Sequence, residues 1–269
     1  MRRTGRYDLE DPSKTQGRDD VRPGERSPGG LRVRYALKAL GGVRGRVLIP
    51  GCGAGRYVRA LARARPDLQF IAGDLSRTAV REARQRHPEG CYLALDAARL
   101  PFTRGCFSAV VFLDLLEHVH DDQRMVSECA RVLAPGGTLH AYVPLEAQPG
   151  SLYRVLEHSQ RWPIHRWKRD HVGHVHHFDD EQVLRLIWNA GLEVRWFAYS
   201  FHPIGQLHDL VDYWQRERTA GGPGWLPLPA VRALVRAIFT VTWRLAYLED
   251  RIYTGRVLAS GLHLTAVKP

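Results

Sequence analysis

The sequence predicts an α/β fold, a mostly parallel sheet with helices on both faces. Three observations predict it. Short apolar runs alternate with helical patterns from Leu31 to Val143. The runs, Phe107–Leu113 most clearly, are apolar at successive positions, as strands covered on both faces are. A glycine-rich turn, Gly51–Gly55, carries the first run directly into the helix after it.

Residues 1–30 are rich in Arg, Asp, Gly and Pro and hold few apolar side chains, too few to offset the entropy of ordering them. They are expected to form a disordered tail, with the domain running from residue 31 to 269. Leu31–Leu40 has helical spacing, and Arg46–Ile49 is a short buried strand stopped by Pro50-Gly51. A helix follows from about Gly55 to Arg65. Next come a strand over Gln69–Ala72, a helix from Ser76 to His87, and strands over Cys91–Leu95 and Phe107–Leu113. Asp121 or Asp122 can cap a helix that reaches Leu133. Pro135-Gly136-Gly137 separates that helix from a strand over Thr138–Val143.

Beyond Pro144 the pattern loosens into an Arg-, Trp- and His-rich stretch that ends at Phe178. A helix over Asp180–Ala190, Gly191, a strand over Leu192–Tyr199 and a last strand over Gly261–Val267 complete the sheet. About fifty residues between the last two strands exceed what a sheet needs. They include a Pro/Gly-rich segment, Gly221–Pro229, and an amphipathic helix over Ala230–Leu248. Segments 144–178 and 202–257 are therefore expected to be lid or insertion.

The formal charge of +11 invites a nucleic-acid or anionic-membrane partner. Its Arg residues are scattered over helices (Arg59, Arg63, Arg81, Arg84, Arg124, Arg131) and describe solvated faces better than a nucleic-acid groove. Cys52, Cys91, Cys106 and Cys129 lie far apart without metal-ligand spacing and read as the reduced thiols of a cytoplasmic protein. The first residues lack the apolar stretch of a secretory signal, and no apolar run is long enough to span a bilayer.

Chemistry is carried first by Val47-Leu-Ile-Pro-Gly51-Cys52-Gly53-Ala-Gly55. Glycines let the backbone turn tightly and approach a ligand, and the following helix N-terminus offers unpaired N–H groups. A plain strand-to-helix turn is the bland alternative. A dinucleotide site wants G-x-G-x-x-G, but the third position here is Arg56.

The G-x-G-x-G form instead resembles the first motif of class I S-adenosylmethionine-dependent methyltransferases, small-molecule type. Later motifs arrive in that family's order. Asp74, in Ala-Gly-Asp-Leu75-Ser, stands where the family binds the cofactor ribose, and Asp96-Ala97 stand at its adenine site. Leu100-Pro-Phe102, the strand Phe107–Leu113 with its exit Asp114-Leu-Leu-Glu117-His118, and Val132-Leu-Ala-Pro-Gly-Gly-Thr-Leu139 continue the likeness. It covers about Val47 to Val143, and Lys268-Pro269 also resembles the family's end.

The resemblance implies a Rossmann-like seven-stranded sheet with a helical insertion between the last two strands. It also implies S-adenosyl-L-methionine bound by Gly51, Cys52, Gly53, Gly55, Asp74, Leu75, Asp96, Ala97 and Leu113. Two departures stand out. Ile49 replaces the acid usual two positions before the first glycine, and Ser108 replaces a common Asp.

His171-Val-Gly-His174-Val-His176-His177-Phe178 has the imidazoles of a metal site, but no clear carboxylate or thiolate ligand accompanies it. No metal is therefore expected. A Gly-His-x-x-x-Phe pattern in the family lines the entrance over the cofactor, so acceptor contact is the expectation. His174, and after it His118, are the candidate bases if a hydroxyl is methylated.

The expected acceptor is a small molecule or lipid-like compound methylated on oxygen. Nucleic-acid methylation would want a motif such as Asn/Asp-Pro-Pro-Tyr/Phe where Asp114-Leu-Leu-Glu stands. A degenerate, non-catalytic binding domain is the other alternative, suggested by Ile49. Val231, Leu234, Val235, Ile238, Val241, Leu245 and Leu248 form an apolar stripe flanked by Arg232, Arg236 and Arg244, with Trp225 and Trp243 nearby. That helix can pack on the sheet or lie peripherally on the inner membrane surface.

Overall fold

A computed structural model describes residues 20–224 and 226–269. Seven strands form one sheet in the order β3-β2-β1-β4-β5-β7-β6. They are β1 (Arg46–Pro50), β2 (Gln69–Asp74), β3 (Cys91–Ala94), β4 (Phe107–Leu113), β5 (Leu133–Pro144), β6 (Glu193–Ser200) and β7 (Gly261–Val267). β1 to β5 are parallel. β7 is antiparallel to both β5 and β6, so the expected mostly parallel sheet ends in an antiparallel edge pair.

Alternate strand residues face opposite layers. Val47, Ile49, Ala109 and Val111 pack against α1 (Pro28–Ala39), α2 (Arg56–Ala64) and α3 (Arg77–Arg86) through Val33, Leu61 and Val80. Leu48, Val110 and Phe112 face the other layer, built by α4 (Asp122–Val132) and α7 (Asp180–Asn189) through Met125, Cys129, Val183 and Ile187. Burial on both sides is why these strands read as continuous apolar runs.

Two expectations need correction. Residues 1–19 of the expected tail lie outside the described residues, but 20–30 are ordered. Val21 is buried in the core, the Ser27 hydroxyl caps α1 by accepting from Gly30 N–H at 3.0 Å, and Asp20 pairs with Arg59 at 3.4 Å. A few buried side chains, one cap and one ion pair hold the segment, and none of them registers in an average composition.

The second correction concerns the stretches without a regular sequence pattern. They contain α5 (Leu152–Val155), α6 (Ile164–Val172) and α8 (Pro203–Thr219), and the helix expected at Ala230–Leu248 extends as α9 over Leu228–Ile252. α8 buries Gly205, Gln206 and His208 along with Leu210 and Tyr213, so its inward face lacks the apolar periodicity that announces a helix.

The strand order reverses between β1 and β4. A crevice outside the carboxyl ends of the strands at such a switch point is where open α/β sheets take their ligands. Gly51–Gly55 leaves β1 there, Asp74 ends β2 and Asp114 follows β4.

Candidate functional site

The glycine turn is shaped by backbone that other residues resist. Gly51, Gly53 and Gly55 all have positive φ (68°, 52° and 80°). A Cβ on Gly51 would stand 2.5 Å from Leu115 Cδ1, and one on Gly55 2.9 Å from the Tyr92 hydroxyl. Around Gly53 nothing among the described residues lies within 4 Å of that position, so they leave its bare backbone open to an approaching ligand.

Two hydrogen bonds tie the turn to the end of β2. Cys52 N–H donates to Gly73 O at 2.9 Å, and Gly53 N–H donates to Asp74 Oδ2 at 2.8 Å. The other oxygen, Asp74 Oδ1, accepts from Ser76 N–H at 2.9 Å. Burial pushes the Asp74 carboxyl above its ordinary value against the pull of these amides. Asp96 Oδ1 accepts from Ala98 N–H at 2.8 Å, which fixes the loop after β3.

One cavity of about 610 Å³ joins these residues. Gly51, Cys52, Gly53, Asp74, Leu75, Asp96, Ala97 and Leu113 all line it, together with His118 and His174. Gly55 does not line it. It sits behind the wall as the left-handed residue that starts α2, so its contribution is steric. Ile49, where an acid is usual, is buried in the core. Asp114 supplies a carboxylate to the same cavity, held by Arg32 at 3.0 Å and Arg56 at 3.9 Å.

The opposite wall is polar and buried, and no sequence pattern announces it. Lys168 of α6 lies between Glu146 Oε1 and Asp209 Oδ2, 3.0 Å from each. Tyr153 donates to Asp209 at 2.7 Å. Burial alone would lower the Lys168 pKa, but Asp209 and Glu146 hold it well above its ordinary value. Burial alone would raise the Glu146 pKa, but Lys168 and His174 hold it well below the usual range. Tyr213 and Arg216 of α8 complete this side.

Among the histidines of the 171–178 segment, only His174 reaches the cavity wall. His171 pairs with Glu217 at 3.2 Å, and His176 faces the carbonyl of His120 at 3.3 Å. His177 Nδ1 lies 2.5 Å from Glu146 Oε2, and His174 Nδ1 lies 2.6 Å from Glu146 Oε1. The carboxylates that meet His174 and His177 come from elsewhere in the chain. Glu146 follows β5, and Glu117 belongs to the 3-10 turn Leu116–His118.

Glu117 is 1% exposed. Burial, with Asp114 nearby, pushes its carboxyl well above the ordinary value. His118 packs edge-on against His174 at 4.8 Å, and burial and that neighbour pull its pKa down to about 3. It is therefore a neutral imidazole near pH 7.

Residues 48–141 match the family model described as a methyltransferase domain. Over 135 residues the chain is 35% identical to the ubiquinone/menaquinone biosynthesis C-methyltransferase UbiE of Desulfotalea psychrophila, covering 49% of this chain and 51% of that one. Over 101 residues it is 38% identical to a ubiquinone biosynthesis O-methyltransferase of Ralstonia nicotianae, covering 34% of this chain and 40% of that one. The chain thus spans about half the length, or less, of these curated relatives.

In structure it resembles phosphoethanolamine N-methyltransferase 2 of Haemonchus contortus, solved with S-adenosyl-L-methionine. The TM-score is 0.61 at 20% identity, covering 96% of this chain and 56% of that one. The resemblance read from the sequence holds in the fold, which is the Rossmann-like fold of that solved methyltransferase, and residues 48–141 carry the match to the methyltransferase-domain model.

Proposed function

We propose that this chain, built on a methyltransferase domain, transfers the methyl group of S-adenosyl-L-methionine to an oxygen of a small-molecule or lipid-like acceptor. The observation that carries the reading is a single cavity. One wall is the glycine turn with Asp74 and Asp96, and the other is a buried polar cluster around Lys168 and His174. Gly51–Gly53 would receive the methionine end, Asp74 the ribose hydroxyls and Asp96 the adenine amine.

The cofactor supplies an activated methyl on a sulfonium, so the protein's main task is alignment and exclusion of water. Asp74 is pre-oriented by two amides and needs no rearrangement to accept from a ligand. Tyr153, Lys168, Asp209 and Tyr213 offer donors and acceptors that would orient a polar acceptor facing the turn. His174, turned by Glu146, and neighbouring His118 adjoin that position. Segments 144–178 and 202–257 act as the lid that closes over it.

Transfer of labelled methyl from S-adenosylmethionine to a panel of hydroxylated compounds tests the reading. O-methylated product is the expected result. Cofactor binding without transfer to any oxygen acceptor in a broad panel would favour the non-catalytic alternative.

A peripheral membrane contact through α9 is a second proposal, and a specific observation favours it. Leu234, Val241, Leu245, Leu248 and Ile252 are all exposed along the helix, with Arg232, Arg236 and Arg244 also exposed. Only Val231 and Val235 of the stripe read from the sequence are buried. Trp243 does not belong to this surface. It packs on His208 of α8 at 5.0 Å, so its expected membrane role is withdrawn, and Trp225 lies outside the described residues. Among the described residues no helix is long and apolar enough to cross a membrane. We do not propose a nucleic-acid partner, because the acceptor wall carries Asp114, Glu117 and Asp209. Co-sedimentation of the parent with anionic vesicles, lost in Leu245→Glu, would support the contact, and no sedimentation of the parent would sink it.

A further inference from the structure

Buried His174, half-buried His118 and the buried carboxylate beside them have no task in a purely alignment-driven transfer. Glu117 Oε1 lies 3.8 Å from His118 Nε2 and 4.0 Å from His174 Nε2. Neither Glu117 oxygen has a hydrogen-bond partner among the described residues, although the side chain is nine-tenths buried or more. Leaving a carboxylate in that condition is costly unless something else satisfies it.

The remaining ring nitrogens are both committed. His174 Nδ1 lies 2.6 Å from Glu146 Oε1, and His118 Nδ1 lies 3.2 Å from the Gly173 carbonyl. Donation from Nδ1 to an oxygen leaves Nε2 as the lone-pair nitrogen, and a carboxylate or carbonyl behind the ring is the usual support of a metal-bound histidine. The backbone is fixed as well, since Val175 and His176 N–H both donate to the Glu117 carbonyl, at 2.9 and 3.2 Å.

We infer that Glu117, His118 and His174 bind a divalent first-row metal ion whose open coordination positions face the acceptor half of the cavity. The three ligand atoms lie within 4.8 Å of one another. Atoms each about 2.1 Å from a common ion are at most about 4.2 Å apart. Small side-chain rotations therefore close the site, with no change of backbone. Two imidazoles and one carboxylate suit zinc, iron, manganese or cobalt, and leave positions for oxygen ligands. The second group of this kind, Glu146 with His165 and His177, is a poorer candidate because Glu146 already engages Lys168, His174 and His177.

This inference rests on the methyltransferase reading for its role in catalysis, and it names the acceptor class. Adjacent open positions favour an acceptor with two neighbouring oxygens, as in a catechol or vicinal diol. Coordination lowers the pKa of a bound hydroxyl, whose proton passes to solvent water. The resulting oxyanion donates an electron pair to the methyl carbon, an O–C bond forms, and the C–S bond breaks with its pair returning to sulfur. His174 is then a ligand rather than the expected imidazole base, because a metal-bound Nε2 has no pair left for a proton.

The test uses the untagged full chain, stripped with chelator and titrated with Mn²⁺ and, separately, Co²⁺. Calorimetry and the visible spectrum of Co²⁺ report binding without reference to activity. About one equivalent is expected, weakened at least tenfold in Glu117→Gln and in His118→Ala, and about tenfold in Glu146→Gln, which removes only the support behind His174. His165→Ala should bind as the parent does. No binding by the parent, or equal binding by Glu117→Gln and His118→Ala of native circular dichroism, would overturn the site. S-adenosylmethionine titrated into the same stripped protein separates the two claims, since cofactor binding without metal binding leaves the methyltransferase reading standing and this one contradicted.

Discussion

The backbone N–H of Gly53 donates to Asp74 Oδ2 at 2.8 Å, so the turn after β1 and the acid ending β2 form one unit. Twenty-one residues separate them in sequence, yet adjacent parallel strands deliver both to the same end of the sheet. A ligand bridging them meets a bare backbone on one side and a carboxylate on the other.

Gly55→Ala should damage this unit without touching the cavity. The residue has φ of 80°, and its new Cβ would meet the Tyr92 hydroxyl at 2.9 Å and Ala83 at 3.2 Å. A loss of about 1–3 kcal/mol is expected. Thermal unfolding of parent and variant measures it. An unchanged melting temperature would show that the turn tolerates a side chain.

Lys168→Met should destabilise the chain more strongly. The ammonium is 3.0 Å from both Glu146 and Asp209, and the side chain is 5% exposed. Removing one member of a buried ionic group leaves the other charges uncompensated, at about 3–5 kcal/mol. Urea unfolding should show a lower midpoint. Recovery in the double variant Lys168→Met with Asp209→Asn would confirm that the cost is electrostatic.

A pH signature should come from the junction of α8 and α9. His202 Nδ1 lies 2.7 Å from Asp250 Oδ1, and its Nε2 lies 3.0 Å from the Gly255 carbonyl. Both ring nitrogens face acceptors, which only the imidazolium satisfies. Burial works against the charge, but Asp250 and the Gly255 carbonyl outweigh it and raise the pKa above the ordinary value. Because the folded pKa lies above the unfolded one, this contribution is full below about pH 6.5 and fades as pH rises through the folded pKa. The melting-temperature gap between the parent and His202→Gln should therefore be largest in mild acid and shrink towards alkaline pH. A gap that grows with pH would contradict the assignment.

The cofactor wall is legible in the sequence and the acceptor wall is hidden, for a physical reason. β1, β2 and β4 are buried on both faces, so their apolar runs and the glycines between β1 and α2 are constrained by local geometry that leaves a local pattern. Glu146, Lys168 and Asp209 meet only through the tertiary fold, and no spacing announces them. α8 is hidden because its buried face includes Gly205, Gln206 and His208, held by hydrogen bonds such as that from Gln206 Nε2 to the Phe201 carbonyl at 2.8 Å. α9 shows the opposite failure. Its apolar stripe does mark a helix, yet most of it faces outward, because periodicity fixes a face without saying what covers it.

The central claim is that the glycine turn and Asp74 hold S-adenosyl-L-methionine, and calorimetric titration of the cofactor tests it most directly. A hydrogen bond to a charged group is worth about 1.5–3 kcal/mol, so Asp74→Ala should weaken binding roughly ten- to a hundredfold, and Asp96→Ala should weaken it by a smaller factor. Circular dichroism of each variant would show that the fold survives. One cofactor per chain in the parent, with that loss in Asp74→Ala, is the predicted result. No binding by the parent, or equal affinity in parent and Asp74→Ala, would contradict the account.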